Sequence, residues 1–183
     1  MLTRQLTLKA GGRKPPDLGP KVPVAAVYLN PAGNNAGLAA LINGAGLRDG
    51  DKDGLLEQDT MPANMWRGPR AANLSLEFEL PEPVAIGTIE VWNYNAEWHT
   101  ADGIRKADVA VSPDGTTWET VLHGAEFAEA EGTPDYDEPI CLKLKGAIVR
   151  KIRFENIVPW NDRGQVGLSK VVFHQPTAPP AAP

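Results

Sequence analysis

Two short stretches of this chain set an aromatic ring beside hydrogen-bonding side chains: Asn95-Ala96-Glu97-Trp98-His99 and Pro159-Trp160-Asn161-Asp162-Arg163. Sugar rings present C–H faces that pack on flat aromatic side chains, and their hydroxyls take planar polar partners such as Arg, Asn, Asp or Glu. Trp98 and Trp160 are therefore candidate platforms, with His99, Asn161 and Arg163 as candidate hydrogen-bonding groups. The competing reading is that both tryptophans cap a hydrophobic core while the polar residues close turns. Trp66, Trp92 and Trp118 sit within or beside apolar alternations and read as packing residues.

A third stretch, Asp49-Gly50-Asp51-Lys52-Asp53-Gly54, has the spacing that wraps three carboxylates around calcium while glycine permits the sharp turn. The twelfth position of that loop is Thr60, so the bidentate glutamate of a helix-flanked calcium loop is missing. Two readings stay open: a structural calcium on Asp49, Asp51 and Asp53, and a solvated acidic turn. No other cofactor is expected.

Catalytic patterns are missing. There is no G-x-S-x-G elbow, and His99, His123 and His174 lack the spacing of a zinc site. Glycoside hydrolysis needs two facing carboxylates, one with a raised pKa. The acids here fall on outward strand positions or in charged runs such as Glu126 to Glu138, which reads as a solvated loop. The single cysteine, Cys141, excludes an intrachain disulfide. A net charge of −5 with scattered Lys and Arg gives no footprint for nucleic acid. No apolar run approaches the roughly 18 to 20 residues that span a bilayer, and Met1 to Lys14 lacks a signal-peptide core.

The elements that must position these residues are strands. Leu74, Leu76, Phe78 and Leu80 alternate with Ser75, Glu77 and Glu79, and Ile89 and Val91 alternate with Glu90 and Trp92. Val109 and Val111 lead into Pro113-Asp114-Gly115, after which Trp118 to Leu122 resumes: a hairpin. Ile140, Leu142 and Leu144, then Ile152 and Phe154, then Val166 to Phe173 continue the pattern. With 18 Gly and 17 Pro as punctuation and no long helical period, the chain reads as an all-β antiparallel sandwich, or jelly roll. Residues 23–174 form that single domain, residues 1–22 a tether or loosely attached edge segment, and residues 175–183 a Pro/Ala-rich linker.

The order of motifs resembles the discoidin, or coagulation-factor C-terminal-type, family, which includes the galactose-binding family 32 carbohydrate-binding modules. The matching pieces are Ala40-Leu41-Ile42-Asn43-Gly44, Met65-Trp66, and Leu74 to Leu80 followed by Pro81-Glu82-Pro83-Val84. Then come Ile89-Glu90-Val91-Trp92-Asn93-Tyr94-Asn95, Ala107 to Ser112 with Pro113-Asp114-Gly115-Thr116-Thr117-Trp118, Lys151-Ile152-Arg153-Phe154, and Gly167-Leu168-Ser169-Lys170-Val171-Val172-Phe173. The resemblance implies a galactose-binding-like jelly roll with ligand loops at one end. It also implies a structural calcium on backbone carbonyls, an Asp and a late acid, positions that here carry Asn43 and Lys170; a lysine there would repel the ion. Arg105 joins the candidate ligand residues because it lies near the place where similar modules carry Arg-Gly, replaced here by Asp102-Gly103. The resulting expectation is a non-catalytic carbohydrate-binding module of a larger secreted protein, extracellular or at the cell surface, with glycans and attached parent domains as partners. The alternative is a protein or cell-surface interaction module on the same fold.

Overall fold

The computed structural model describes residues 14–33 and 35–177. Residues 1–13 of the expected tether and 178–183 of the expected linker lie outside the described residues. Ten strands follow in chain order: β1 Lys21–Val22, β2 Ala26–Asn30, β3 Leu47–Arg48, β4 Glu57–Gln58, β5 Trp66–Pro69, β6 Ser75–Asn93, β7 Ile104–Ser112, β8 Glu119–Glu126, β9 Ile140–Pro159 and β10 Gln165–His174. Apart from three short 3-10 turns, at Leu38–Leu41, Pro62–Asn64 and Thr100–Asp102, the described chain is strands and loops.

Two of these strands are long enough to serve both layers of a sandwich. β6 and β9 pair antiparallel along their length, but the register shifts between Glu79 and Val84 and again between Ile86 and Thr88. Pro81 and Pro83 fall in the first shift, where a missing N–H interrupts the ladder. Opposite the second shift, at Gly87, lies Lys145-Gly146, both with positive φ. Before the bend, β2, β6, the end of β9, β7 and β8 make one layer. Beyond it, β10 lies against β6, whose other neighbour is the start of β9, and β1 and β5 pair the free side of β10.

The inward positions of the two layers meet. Phe78 of the first layer packs edge-on against Phe173 of the second at 5.4 Å and against Phe154 at 5.6 Å, contacts that add about 0.5–1.5 kcal/mol each beyond burial. Leu76, Leu80, Ile89, Val91, Val109, Ile152 and Leu168 complete the same core. The expected all-β sandwich is therefore the observed fold, and the alternation that predicted it is the alternation that is buried.

The outward faces differ. On the first layer Glu77 stands opposite Arg153 and Glu79 opposite Lys151, with ion pairs of 3.1 Å from Arg153 to Glu77 and 2.9 Å from Lys151 to Glu77. Arg153 also covers the Trp118 ring at 3.7 Å. On the second layer the outward Trp92 is buried in a small cluster with Ala130 and Tyr136, with Leu47, Leu56 and Val172 packed on it. The run Glu126 to Glu138 is thus not a plain solvated loop. Phe127 is buried in the main core beside Phe154, Ala130 and Tyr136 are buried against Trp92, and Glu126, Glu129, Glu131, Asp135 and Glu138 are exposed, because a loop covering Trp92 must supply its own apolar face.

Candidate functional site

At one end of the sandwich, the loop leaving β6 (residues 94–103) meets the turn between β9 and β10 (residues 160–164). Main-chain bonds join them: Trp160 N donates to Gly103 O at 3.0 Å, and Asn161 N to Ala101 O at 2.8 Å. The two tryptophan-bearing stretches are therefore neighbours in space. Trp98 is 87% exposed and Trp160 41%.

The chain sets these loops with two buried asparagines. Asn93 Nδ2 donates to Ile104 O and Ala128 O, both at 2.7 Å, while its Oδ1 accepts from Tyr94 N and Ile104 N. Asn95 Nδ2 reaches Gln58 O, Asp59 O and Thr133 O at 2.7–3.0 Å, and its Oδ1 accepts from Gly132 N. A primary amide can satisfy two carbonyls and two amides at once, so each asparagine fixes several loops without regular structure. Two glycines allow the close approach: a Cβ on Gly103 would stand 2.5 Å from Asn93 Oδ1, and one on Gly167 2.6 Å from the Tyr94 ring. Burial of that ring pushes the Tyr94 phenol above its ordinary pKa.

Beneath the rim sits Asp102, fully buried. Its carboxylate lies 2.7 Å from Arg67 Nε, 3.6 Å from Arg163 Nη2 and 3.9 Å from His99 Nδ1, and accepts from Asn161 Nδ2 at 2.6 Å. Among the expected site residues, His99, Asn161 and Arg163 thus converge on one acid. Asn161 is committed to the loop: Nδ2 also donates to Ala101 O, and Oδ1 accepts from Arg163 N. Trp160 is half-fixed, donating its indole N–H to Phe127 O at 3.1 Å, and Arg105 lies 6.0 Å from its ring centroid. Trp98 is held by its backbone, in the left-handed region at φ 67°.

Asp102 and Arg67 were missed by sequence reasoning. The sequence reading took Asp102 only as part of the Asp102-Gly103 pair standing in place of Arg-Gly, and nothing in the local pattern marks Arg67, which follows the buried Trp66 on β5. Only the antiparallel pairing of β5 with β10, Arg67 opposite Gly167, brings it under the rim.

The acidic loop and the metal position that the resemblance implied are separate. Ligand oxygens of Asp49, Asp51 and Asp53 lie within 4.8 Å of one another, and all three residues are exposed. One hard cation of calcium's size fits such a set. Asp49, Asp51 and Asp53 also accept the amides of Gly54, Asp53 and Leu55. At the position where the resemblance implied a calcium, the residues present do not fit a metal: the buried Lys170 ammonium sits against Ala40 O, with Asn64 O at 3.5 Å. Desolvation pushes its pKa down to about 8, against the pull of Asp59.

By sequence the chain matches no protein-family profile and no curated protein. Solved structures share its fold at low identity. A Streptococcus pneumoniae fucose binding module superposes with a TM-score of 0.61 at 13% identity over 88% of this chain and 99% of that one. An F5/8 type C domain from Bacteroides fragilis gives 0.59 at 15%, covering 86% and 98%. A pectin binding carbohydrate binding module gives 0.55 at 14%, covering 88% and 96%. The discoidin-type β-sandwich expected from the motif order is thus the fold of this chain.

Proposed function

We propose that this chain is a non-catalytic carbohydrate-binding module of a larger secreted protein, and that it holds a glycan on the rim formed by residues 94–103 and 160–164. The observation that carries the reading is the pairing of two exposed indoles, Trp98 and Trp160, on loops bonded to each other, with His99, Arg105 and Arg163 beside them. An indole left 87% exposed by a sandwich that buries Trp66 and Trp92 is a surface for stacking. Solved structures of the same fold include sugar-binding modules, which supports this class over others.

Nothing on the rim favours catalysis. Asp102 is closed in by Arg67 and Asn161, and Glu97, Glu129 and Asp162 are exposed. A single module of this size binds weakly and acts by raising the effective concentration of whatever is attached to it.

The test is a glycan array with polysaccharide affinity gels, comparing the wild type with Trp98→Ala and Trp160→Ala, each checked by thermal melting, with and without chelator. Binding by the wild type that disappears in folded variants supports the reading and locates the platform. A chelator-dependent melting temperature, abolished by Asp51→Asn, would identify Asp49, Asp51 and Asp53 as calcium ligands. If the folded wild type binds no glycan, the reading fails, and a protein-contact module takes its place.

A further inference from the structure

A buried ammonium ties together the segments that support the loop bearing Trp98. On β10 the register against β6 slips between Leu168 and Lys170, so Leu168 and Val171 both enter the core and the side chains between them are re-aimed. Ser169 Oγ accepts the main-chain N–H of Asn95 at 3.1 Å. Lys170, with none of its surface exposed, reaches two turns that are distant along the chain. Its ammonium donates to Ala40 O, in the 3-10 turn Leu38–Leu41, and to Asn64 O, at the end of the turn Pro62–Asn64. Asp59, whose charge favours the ammonium, accepts from Asn64 Nδ2 at 2.6 Å and from Met61 N at 3.1 Å. The Asp59 carbonyl in turn accepts Asn95 Nδ2 at 3.0 Å.

Main-chain carbonyls from separate turns, with a carboxylate near them, are the donors that a hard cation gathers. Here the cation belongs to the chain. An ammonium offers three N–H donors and no acceptor, so it can serve carbonyls alone. Burying it carries a desolvation penalty that Asp59 offsets only in part. A tethered charge, however, loses no association entropy and cannot be stripped by a chelator. We propose that Lys170 is a resident cation, which ties the Leu38–Leu41 and Pro62–Asn64 turns to β10 in place of the metal that the resemblance implied. The position is thus a cation site filled by a side chain, and a carboxylate in place of the amine would open it to a divalent ion held by Ala40 O, Asn64 O, Asp59 and the new acid. This inference stands whether or not the rim binds sugar.

The experiment is made in an Asp51→Asn background, which disables the acidic loop. Melting is compared in chelator and in excess calcium for the chain with Lys170, with Lys170→Gln and with Lys170→Glu. The expected result is no calcium response with Lys170 or with Lys170→Gln, and a rise of about 4 °C or more with Lys170→Glu, together with bound terbium that calcium displaces. A calcium response that persists with Lys170 in place overturns the proposal, because an ion is then held without the substitution. A folded Lys170→Glu variant indifferent to calcium overturns it as well, because the position is then no cation site. If Lys170→Glu does not fold in chelator, refolding on addition of calcium supports the proposal, and failure in both conditions leaves the decision to the wild type. Nitrogen-15 spectra of its lysine side chains at mildly acidic pH should show one Nζ signal with slowly exchanging protons that is missing in Lys170→Met. A wild type without such a signal holds no buried ammonium there, and the proposal falls.

Discussion

Trp98 joins a large exposed ring to a backbone conformation that bulky side chains avoid. At φ 67° its Cβ crowds the following carbonyl, a strain of about 1–2 kcal/mol for an L-residue that glycine does not feel. Trp98→Ala keeps the strain and Trp98→Gly removes it. We therefore expect the glycine variant to be more stable than the alanine variant by about 1 kcal/mol, roughly 2–4 °C in Tm by calorimetry, while both lose glycan retention equally. The same scale holds Asp102. Removing it leaves Arg67 without its 2.7 Å partner and takes from Asn161 Nδ2 one of its acceptors, the Ala101 carbonyl remaining. Asp102→Ala should cost about 2–3 kcal/mol in denaturant unfolding, less than a wholly buried pair because Arg67 reaches water. Trp98, His99, Trp160 and Arg163 could be picked out in the sequence because aromatic and hydrogen-bonding types stand side by side there. Asp102 could not, since one acid among many in a loop looks alike whether solvated or buried.

At the scale of elements, the strands were legible and their bending was not. Alternation marks Leu74 to Leu80 and Ile89 to Val91 as separate strands, yet both lie in β6, which passes from one layer to the other through the register shifts around Pro81 to Gly87. Alternation reports which side faces the core, and both layers face the same core, so the period survives the bend. The loops depend instead on Asn95. Asn95→Ala would leave Gln58 O, Asp59 O and Thr133 O without this donor and Gly132 N without its acceptor. The expected loss is at least about 2 kcal/mol, with hydrogen exchange rising first in residues 128–136. Uniform acceleration across the core strands would contradict that role.

For the molecule as a whole, buried groups shape the alkaline limb of stability, Lys170 and Tyr136 chief among them. Lys170 has a folded pKa of about 8 against 10.5 for the free side chain, so between these values the unfolded chain binds more protons and stability rises with pH. Tyr136 is pushed up to about 12 by burial against an ordinary value of 10, so above pH 10 the unfolded chain ionises first and stability falls. Unfolding free energy should climb from about pH 8 to near pH 10 and then decline; Lys170→Met should flatten the climb, and Tyr136→Phe should weaken the decline. A wild-type profile that falls steadily from pH 8 would refute the Lys170 assignment. The sequence by itself determined the all-β class, the inward residues, the Pro113 to Thr117 hairpin turn and the tryptophan stretches, because side-chain period and turn chemistry are local properties. Tertiary structure alone decided that the Trp98 and Trp160 stretches adjoin, that Asp102 gathers Arg67 and Arg163, and that Lys170 sits on the Ala40 carbonyl. Those contacts join residues distant along the chain, and they exist only once the two layers have closed on one core.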